Sequence, residues 1–134
     1  MTKHSSRLHR ILAGVFLGVG LAGCRTDSPT AQQLALRDQV VALLEAGAAG
    51  DTVRLRSLTV GTHVISDLQR LRGTHPLLYD QPGKRFSTPY SVATAGDTTV
   101  AFFRVRGFGR REFATEFRKA GSGWRVVRLG FSAD

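Results

Sequence analysis

The chain has 134 residues, a formal net charge of +9 and a single cysteine. This length suits one ordinary domain, and a single thiol excludes a framework of intramolecular disulfides. The strongly basic balance favours anionic partners, and the class of partner depends on the compartment in which the protein resides.

The amino terminus has the organisation of a signal peptide. Lys3, Arg7 and Arg10 precede an apolar run of twelve residues from 11 to 22. A helix needs roughly 20 such residues to cross the hydrocarbon core of a bilayer. We therefore predict a secretory leader over residues 1–23 and not a lasting membrane span.

The leader ends in Leu21-Ala22-Gly23-Cys24, which contains the only cysteine of the chain. This tetrapeptide resembles the lipobox of bacterial lipoproteins. The resemblance implies cleavage between Gly23 and Cys24 and attachment of a diacylglycerol to the Cys24 sulfur. Each buried CH₂ group of the acyl chains would contribute about 0.8 kcal/mol to anchoring in the membrane. The alternative is an ordinary signal peptide followed by an unmodified cysteine.

Cleavage at this site would remove three basic residues and no acid, and so lower the formal charge from +9 to +6. An exported protein meets anionic lipid head groups, lipopolysaccharide phosphates or acidic wall polymers rather than nucleic acid. The membrane, through the lipid, and an anionic envelope component or protein are therefore the expected partners, and nucleic acid is not.

The residue after the cysteine bears on location within the cell envelope. Arg25 stands where enteric lipoproteins that stay at the inner membrane carry aspartate. The resemblance thus implies attachment to the outer membrane, facing the periplasm. Residues 24–29 are polar and contain a proline, so we expect a tether before a domain over residues 30–134.

The first half of that domain is predicted to be helical. Thr30 and Gln33 form a capping-box pattern, and apolar residues then recur at helical spacing to about residue 46. Asp51 is expected to cap a second, short helix, and a third helical piece is expected to end at Gly73. An irregular, proline-bearing connection over residues 75–84 follows.

The second half is predicted to be a sheet. Seven of the eight phenylalanines and the only tryptophan lie between Phe86 and Phe131. Three glycine-containing turns divide this region into four strands, namely Gly96-Asp97, Gly107-Phe108-Gly109 and Gly121-Ser122-Gly123. A two-residue first turn and three-residue second and third turns set the cross-strand partners. These are Val92 with Ala101, Phe103 with Phe113, Arg104 with Glu112, Glu116 with Arg128, and Phe117 with Val127.

This register sorts the residues onto two faces of the sheet. The inner face, which the helices should cover, collects Tyr90, Val92, Ala101, Phe103, Val105, Phe113, Phe117, Val127, Leu129 and Phe131. The outer face collects the charged residues Arg104, Arg106, Arg110, Glu112, Glu116 and Arg128, together with the apolar Val100, Phe102 and Val126.

Helices followed by antiparallel strands, with Gly96-Asp97 before an apolar strand and Trp124 at the start of the last one, form a recognisable order. It resembles the nuclear transport factor 2-like or cystatin-like superfamily. The resemblance implies an α+β fold in which N-terminal helices pack on a curved antiparallel four-stranded sheet to form a cone. Members include isomerases, dehydratases and carrier modules, so this fold leaves function open.

A cone of this kind implies a pocket on its aromatic face. The predicted lining residues are Tyr90, Val92, Phe103, Phe113 and Leu129. Tyr79 with Asp80 is the best candidate acid/base pair for a pocket enzyme, and the alternative is that both belong to a solvated loop. His63 and His75 are too far apart in the sequence for a compact ligand motif, so no metal or cofactor is predicted.

Three arginines are expected to remain unpaired by acids on the outer face of the sheet. Cross-strand pairing of Arg104 with Glu112 and of Glu116 with Arg128 leaves such residues at Arg106, Arg110 and Arg118. They form either a solvated surface or a docking surface for anionic groups. The sequence thus predicts a lipid-anchored, non-catalytic binding or envelope-associated module. A pocket enzyme of the isomerase or dehydratase type and a structural lipoprotein that ties two envelope layers are the alternatives.

Overall fold

The computed structural model describes residues 30–132, in which helices precede one antiparallel sheet. The helices are α1 (Ala31–Ala49), α2 (Thr52–Leu58), α3 (His63–Thr74), a 3₁₀ helix (Pro76–Tyr79) and α4 (Pro82–Arg85). The strands are β1 (Ser91–Ala95), β2 (Thr98–Arg104), β3 (Glu112–Ala120) and β4 (Gly123–Phe131). The α+β class is as predicted. The predicted leader, the Cys24 site and the whole tether over residues 24–29 lie outside the described residues.

A capping box and a glycine set the beginning and the end of helix α1. The Thr30 hydroxyl accepts from the Gln33 N–H at 3.1 Å, and the Gln33 side chain accepts from the Thr30 N–H at 2.9 Å. This confirms the predicted capping box. The helix runs to Ala49, beyond the predicted end, and Gly50 terminates it with a φ of +69°. None of the helices in residues 30–132 has the length and hydropathy needed to cross a bilayer.

The region predicted as an irregular connection contains two short helical turns. Pro76 and Pro82 each stand in the first turn of a helix, where the missing N–H of proline removes no intrahelical bond. Asp51 caps α2 as predicted, since its carboxylate accepts from the Arg54 N–H at 3.1 Å. Helix α3 continues through Gly73 to Thr74.

The sheet is a meander with the strand order β1-β2-β3-β4. The first two pairings have the predicted register, with Val92 opposite Ala101 and Phe103 opposite Phe113. The register between β3 and β4 departs from the prediction after Glu116. A β-bulge between Glu116 and Phe117 makes the last turn a two-residue one.

The bulge changes which of two neighbouring valines faces the core. Phe117 lies opposite Val126, not opposite Val127 as predicted. Val126 is consequently fully buried in the core, and Val127 is only half-buried. An extra residue in one strand reverses the faces of the residues beyond it, because side chains alternate along a strand.

Helix α3 and the segment before it cover the exposed edge of β4. The Val60 N–H donates to the Val126 carbonyl at 2.9 Å, and the Leu129 N–H donates to the Asp67 carboxylate at 3.1 Å. Backbone groups at a sheet edge otherwise invite pairing with another chain. The backbone of Val60 and the buried carboxylate of Asp67 therefore satisfy part of the hydrogen-bonding capacity of the β4 edge.

Candidate functional site

Four of the five residues predicted to line a pocket belong to the hydrophobic core or pack against it. Phe103 and Phe113 are fully buried, Leu129 is almost so, and Val92 packs against the same cluster. The ring of Phe86 lies edge-to-face against Phe103 and Phe113, with centroid distances of 5.6 Å and 5.3 Å. Aromatic side chains thus fill the space where the resemblance implied a ligand cavity.

Tyr90, predicted to lie inside, is 42% exposed and turns to the charged face of the sheet. Its hydroxyl donates to the Glu112 carboxylate, and the guanidinium of Arg104 lies 4.5 Å from its ring centroid. Partial burial, followed by the hydrogen bond to Glu112, raises the pKa of Tyr90 to about 12. Tyr90 precedes the first residue of β1, Ser91, so the alternation of the strand does not govern its side chain.

Tyr79 and Asp80 do not form the predicted acid/base pair. The Tyr79 hydroxyl donates to the Leu68 carbonyl at 2.8 Å, and burial raises the pKa of this phenol to about 12. The Asp80 carboxylate pairs with Arg85 at 3.2 Å on the surface. The Tyr79 side chain thus joins two helices, and the Asp80 side chain holds an arginine at the surface.

A basic cleft of about 510 Å³ lies between α4 and the turn that joins β2 to β3. We define the basic cleft by its lining residues, which are Lys84, Arg85, Phe86, Ser87, Arg104, Val105, Arg106, Gly107 and Gly109. Four of these carry a positive charge. Its volume is in the range of small-ligand sites.

Arg85 holds the two walls of the basic cleft together. Its Nε donates to the Asp80 carbonyl at 2.7 Å, and its Nη1 donates to the Arg106 carbonyl at 3.0 Å. The Arg106 N–H returns a bond of 3.0 Å to the Arg85 carbonyl. A Cβ at Gly107 would lie 2.9 Å from the Arg85 guanidinium, and the φ of +95° also favours glycine there.

The side chain of Arg104 is held in place without an acid. It stacks on Tyr90, and its Nη1 donates to the Arg110 carbonyl at 2.8 Å. Arg104 lies opposite Glu112 as predicted, but among residues 30–132 no ion pair joins them. Within the same range, Asp80 is the only carboxylate that pairs with a basic side chain of the cleft, and its partner is Arg85.

The three arginines predicted to form an anionic docking surface occupy two places. Arg106 lines the basic cleft. Arg110 lies beside the cleft, because its carbonyl accepts a hydrogen bond from the lining residue Arg104. Arg118 lies at the other end of the strands, opposite both Thr98 and Arg125. The structure therefore brings Arg106 and Arg110 together and separates Arg118 from them.

Three basic residues of the cleft were not predicted as docking residues. Lys84 ends the region predicted as an irregular connection and Arg85 follows it, and Arg104 was expected to be neutralised by Glu112. The run Lys84-Arg85, immediately before the aromatic sheet, is the signal that could have found them.

Asp67 is a buried charged residue that the helical pattern could have identified, since it lies three residues after the buried Val64. Its carboxylate accepts from Arg128 Nε at 2.8 Å and from Arg70 Nη2 at 2.9 Å. Burial alone would raise the pKa of Asp67, but hydrogen bonds from Arg128, Leu129 and Arg70 outweigh it and lower the pKa. Arg128 therefore forms an ion pair with Asp67 and not the predicted pair with Glu116.

His75 lies in an aromatic cluster apart from His63. Arg111 Nη1 is 2.8 Å from His75 Nε2, and the His75 and Phe131 ring centroids are 4.8 Å apart. Burial, followed by the charge of Arg111, lowers the pKa of His75. In the part of the chain that the structure describes, no group of three or more histidine, cysteine or acidic residues is arranged to hold a metal ion.

Comparison of the chain with protein-family models, with curated proteins and with solved structures gives no match in any of the three.

Proposed function

We propose that this chain is a lipid-anchored cell-envelope protein whose domain is a non-catalytic binding module, and that the basic cleft receives an anionic partner. The observation that carries the proposal is the accumulation of four basic side chains around one cleft, for which Asp80 is the single carboxylate partner among residues 30–132. Uncompensated like charge costs stability, so its concentration in a concave site favours a role in binding.

The filled interior supports binding over catalysis. A pocket enzyme needs an ionisable group beside a cavity, with a pKa near the working pH. The tyrosines offered for that role, Tyr79 and Tyr90, have pKa values raised to about 12 and hydroxyls already engaged. Isomerase or dehydratase chemistry on the aromatic face has no such group among the predicted residues.

We also propose that the domain belongs to the cone-forming nuclear transport factor 2-like or cystatin-like group. The order of helices before a four-stranded antiparallel meander supports this assignment. So does the packing of α1 and α3 against the aromatic face of the sheet.

The anchor and the location rest on the sequence Leu21-Ala22-Gly23-Cys24 and on Arg25 after it. Expression of the full chain with labelled palmitate, in a bacterium with two membranes, should label the protein and place it in the outer-membrane fraction. Cys24→Ala should abolish the label and leave only a membrane association that high salt releases, whereas Ser28→Ala in the tether should keep the label and resist that release. An unlabelled wild-type protein with an intact leader would overturn the anchor.

The binding role can be tested separately from the anchor. Full-length Cys24→Ala protein should sediment with vesicles that contain phosphatidylglycerol and not with vesicles of phosphatidylcholine alone. Lys84→Gln with Arg106→Gln should weaken that association more than Arg118→Gln with Arg125→Gln. The second pair removes the same charge from the far end of the sheet. Equal losses from the two pairs would indicate general charge attraction and contradict a binding role for the basic cleft.

A further inference from the structure

We propose that the basic cleft is a site for the terminal phosphate of a phosphate monoester, bound as its dianion. The inference rests on the proposed binding role of the cleft and adds the chemical class of the ligand. It follows from the number of charges at the cleft, from the way Arg104 is held, and from the open space beside Gly109 in one wall.

The charge of the cleft exceeds what a monoanion can neutralise. Lys84, Arg85, Arg104 and Arg106 contribute four positive charges, and Asp80 compensates one of them through Arg85. A carboxylate or a phosphodiester brings one negative charge. A phosphate monoester brings close to two at neutral pH and three acceptor oxygens as well.

Arg104 is oriented before any ligand arrives. The ring of Tyr90 supports one face of its guanidinium, and the Arg110 carbonyl accepts one of its five N–H donors. The planar fork of arginine binds two oxygens of a phosphate at once, and a side chain that is already immobile loses little entropy on binding. Tyr90 therefore acts as a positioning residue for Arg104.

The turn between β2 and β3 leaves open space at Gly109. Gly107 and Gly109 both line the cleft beside Arg106, but the Arg85 guanidinium fills the space against Gly107, whereas among the described residues no atom lies within 4 Å of a Cβ at Gly109. Arg85 is only 16% exposed and is tied to both walls, so it fixes the cleft's shape. Lys84 and Arg106 are more exposed and add two positive charges to the lining of the cleft.

The other basic cluster lacks these features. Arg118 and Arg125 lie directly opposite each other on β3 and β4, and both are exposed. They do not line the basic cleft. Arg118 and Arg125 therefore provide a matched control, because replacing them removes the same charge from outside the basic cleft.

The selectivity can be measured on full-length Cys24→Ala protein in neutral detergent. Calorimetric titration with glycerol phosphate, a monoester, should give saturable binding at least about tenfold tighter than with glycerophosphoglycerol, a diester. Lys84→Gln with Arg106→Gln should weaken monoester binding by about tenfold or more, and Arg118→Gln with Arg125→Gln should leave it within about twofold. Urea unfolding of both double variants checks that they are folded.

Two further readouts separate charge selectivity from simple attraction. Affinity for the monoester should fall as the pH drops below about 6, where the dianion gains a proton, whereas affinity for the diester should change little. Tyr90→Leu should weaken monoester binding while keeping the protein folded, and Tyr90→Phe, which preserves the ring, should restore most of it.

The source of the phosphate is decided by vesicles that contain phosphatidic acid, tested with glycerol phosphate as a competitor. Vesicle binding that the competitor displaces supports the inference with a lipid head group as the source, and monoester binding without vesicle binding supports it with a soluble source. Equal affinity for monoester and diester, or equal losses from the two double variants, would overturn it. Binding to phosphatidylglycerol vesicles with no monoester preference would leave the proposed function standing and refute this inference alone.

Discussion

Replacing Asp67 by alanine should destabilise the domain by about 3 kcal/mol, and most of that cost traces to one backbone group. Asp67 is 1% exposed and accepts the buried Leu129 N–H at 3.1 Å. A buried donor left without a partner costs about 1–3 kcal/mol. Its arginine partners Arg128 and Arg70 are 48% and 56% exposed, so they regain water, and their loss adds only about 0.2–1 kcal/mol each.

Urea unfolding followed by circular dichroism measures this difference, and Asp38→Ala is the matched control. Asp38 also pairs with an arginine, but its side chain is 66% exposed, so its loss should cost less than about 0.5 kcal/mol. Equal effects of the two substitutions would refute the argument from burial. Because folding lowers the pKa of Asp67, the unfolded chain binds its proton more readily. The stability that Asp67 contributes should therefore be present above about pH 4 and decline as the pH falls further, but not in Asp67→Ala.

Three further predictions test the turn, the bulge and the tyrosines. Gly107→Ala should destabilise the protein by at least about 1 kcal/mol more than Gly109→Ala in urea unfolding, because both have positive φ but only Gly107 faces a side chain within 3.0 Å; equal costs would argue against the close approach. Val126→Ala should lower the free energy of unfolding by about 2 kcal/mol and Val127→Ala by less than about 1 kcal/mol, since only Val126 is fully buried. The reverse order would contradict the β-bulge. Spectrophotometric titration should show both tyrosines ionising near pH 12, because burial raises the pKa of each phenol to about 12, and a transition near pH 10 would contradict their burial and contacts.

Much of the local structure could be predicted because its causes lie within a few residues. The capping box of Thr30 and Gln33, the cap at Asp51 and the turn at Gly96-Asp97 each depend on neighbouring side chains or on φ. Alternation of apolar residues then predicts which face of β3 is buried. In β2 it fails at Phe102, which was predicted on the outer face but is buried like its neighbours Ala101 and Phe103. Two short turns were missed because a proline starts a helix as readily as it ends one.

The candidate site was only partly predictable. Arg106 and Arg110 were recognised as charges without acids. Lys84 and Arg85 belong to a different element, which meets the turn through the bridge between Phe86 and Val105 and through the hydrogen bonds between Arg85 and Arg106. The expected pairing of Arg104 with Glu112 followed from register alone. Register places two Cα atoms opposite each other, and the rotamers that decide an ion pair depend on all the neighbours.

The amino-acid sequence by itself determined the α+β class, the position of most helices and strands, and the register of the first three strands, because short-range periodicity and turn chemistry govern them. Only the tertiary structure decided that aromatic rings fill the interior, that a bulge exchanges Val126 and Val127, and that a basic cleft forms beside α4. These features arise from contacts between residues far apart in the chain, such as the 61 positions that separate Asp67 from Arg128. The free energy of such contacts depends on close packing and desolvation, which no local pattern encodes.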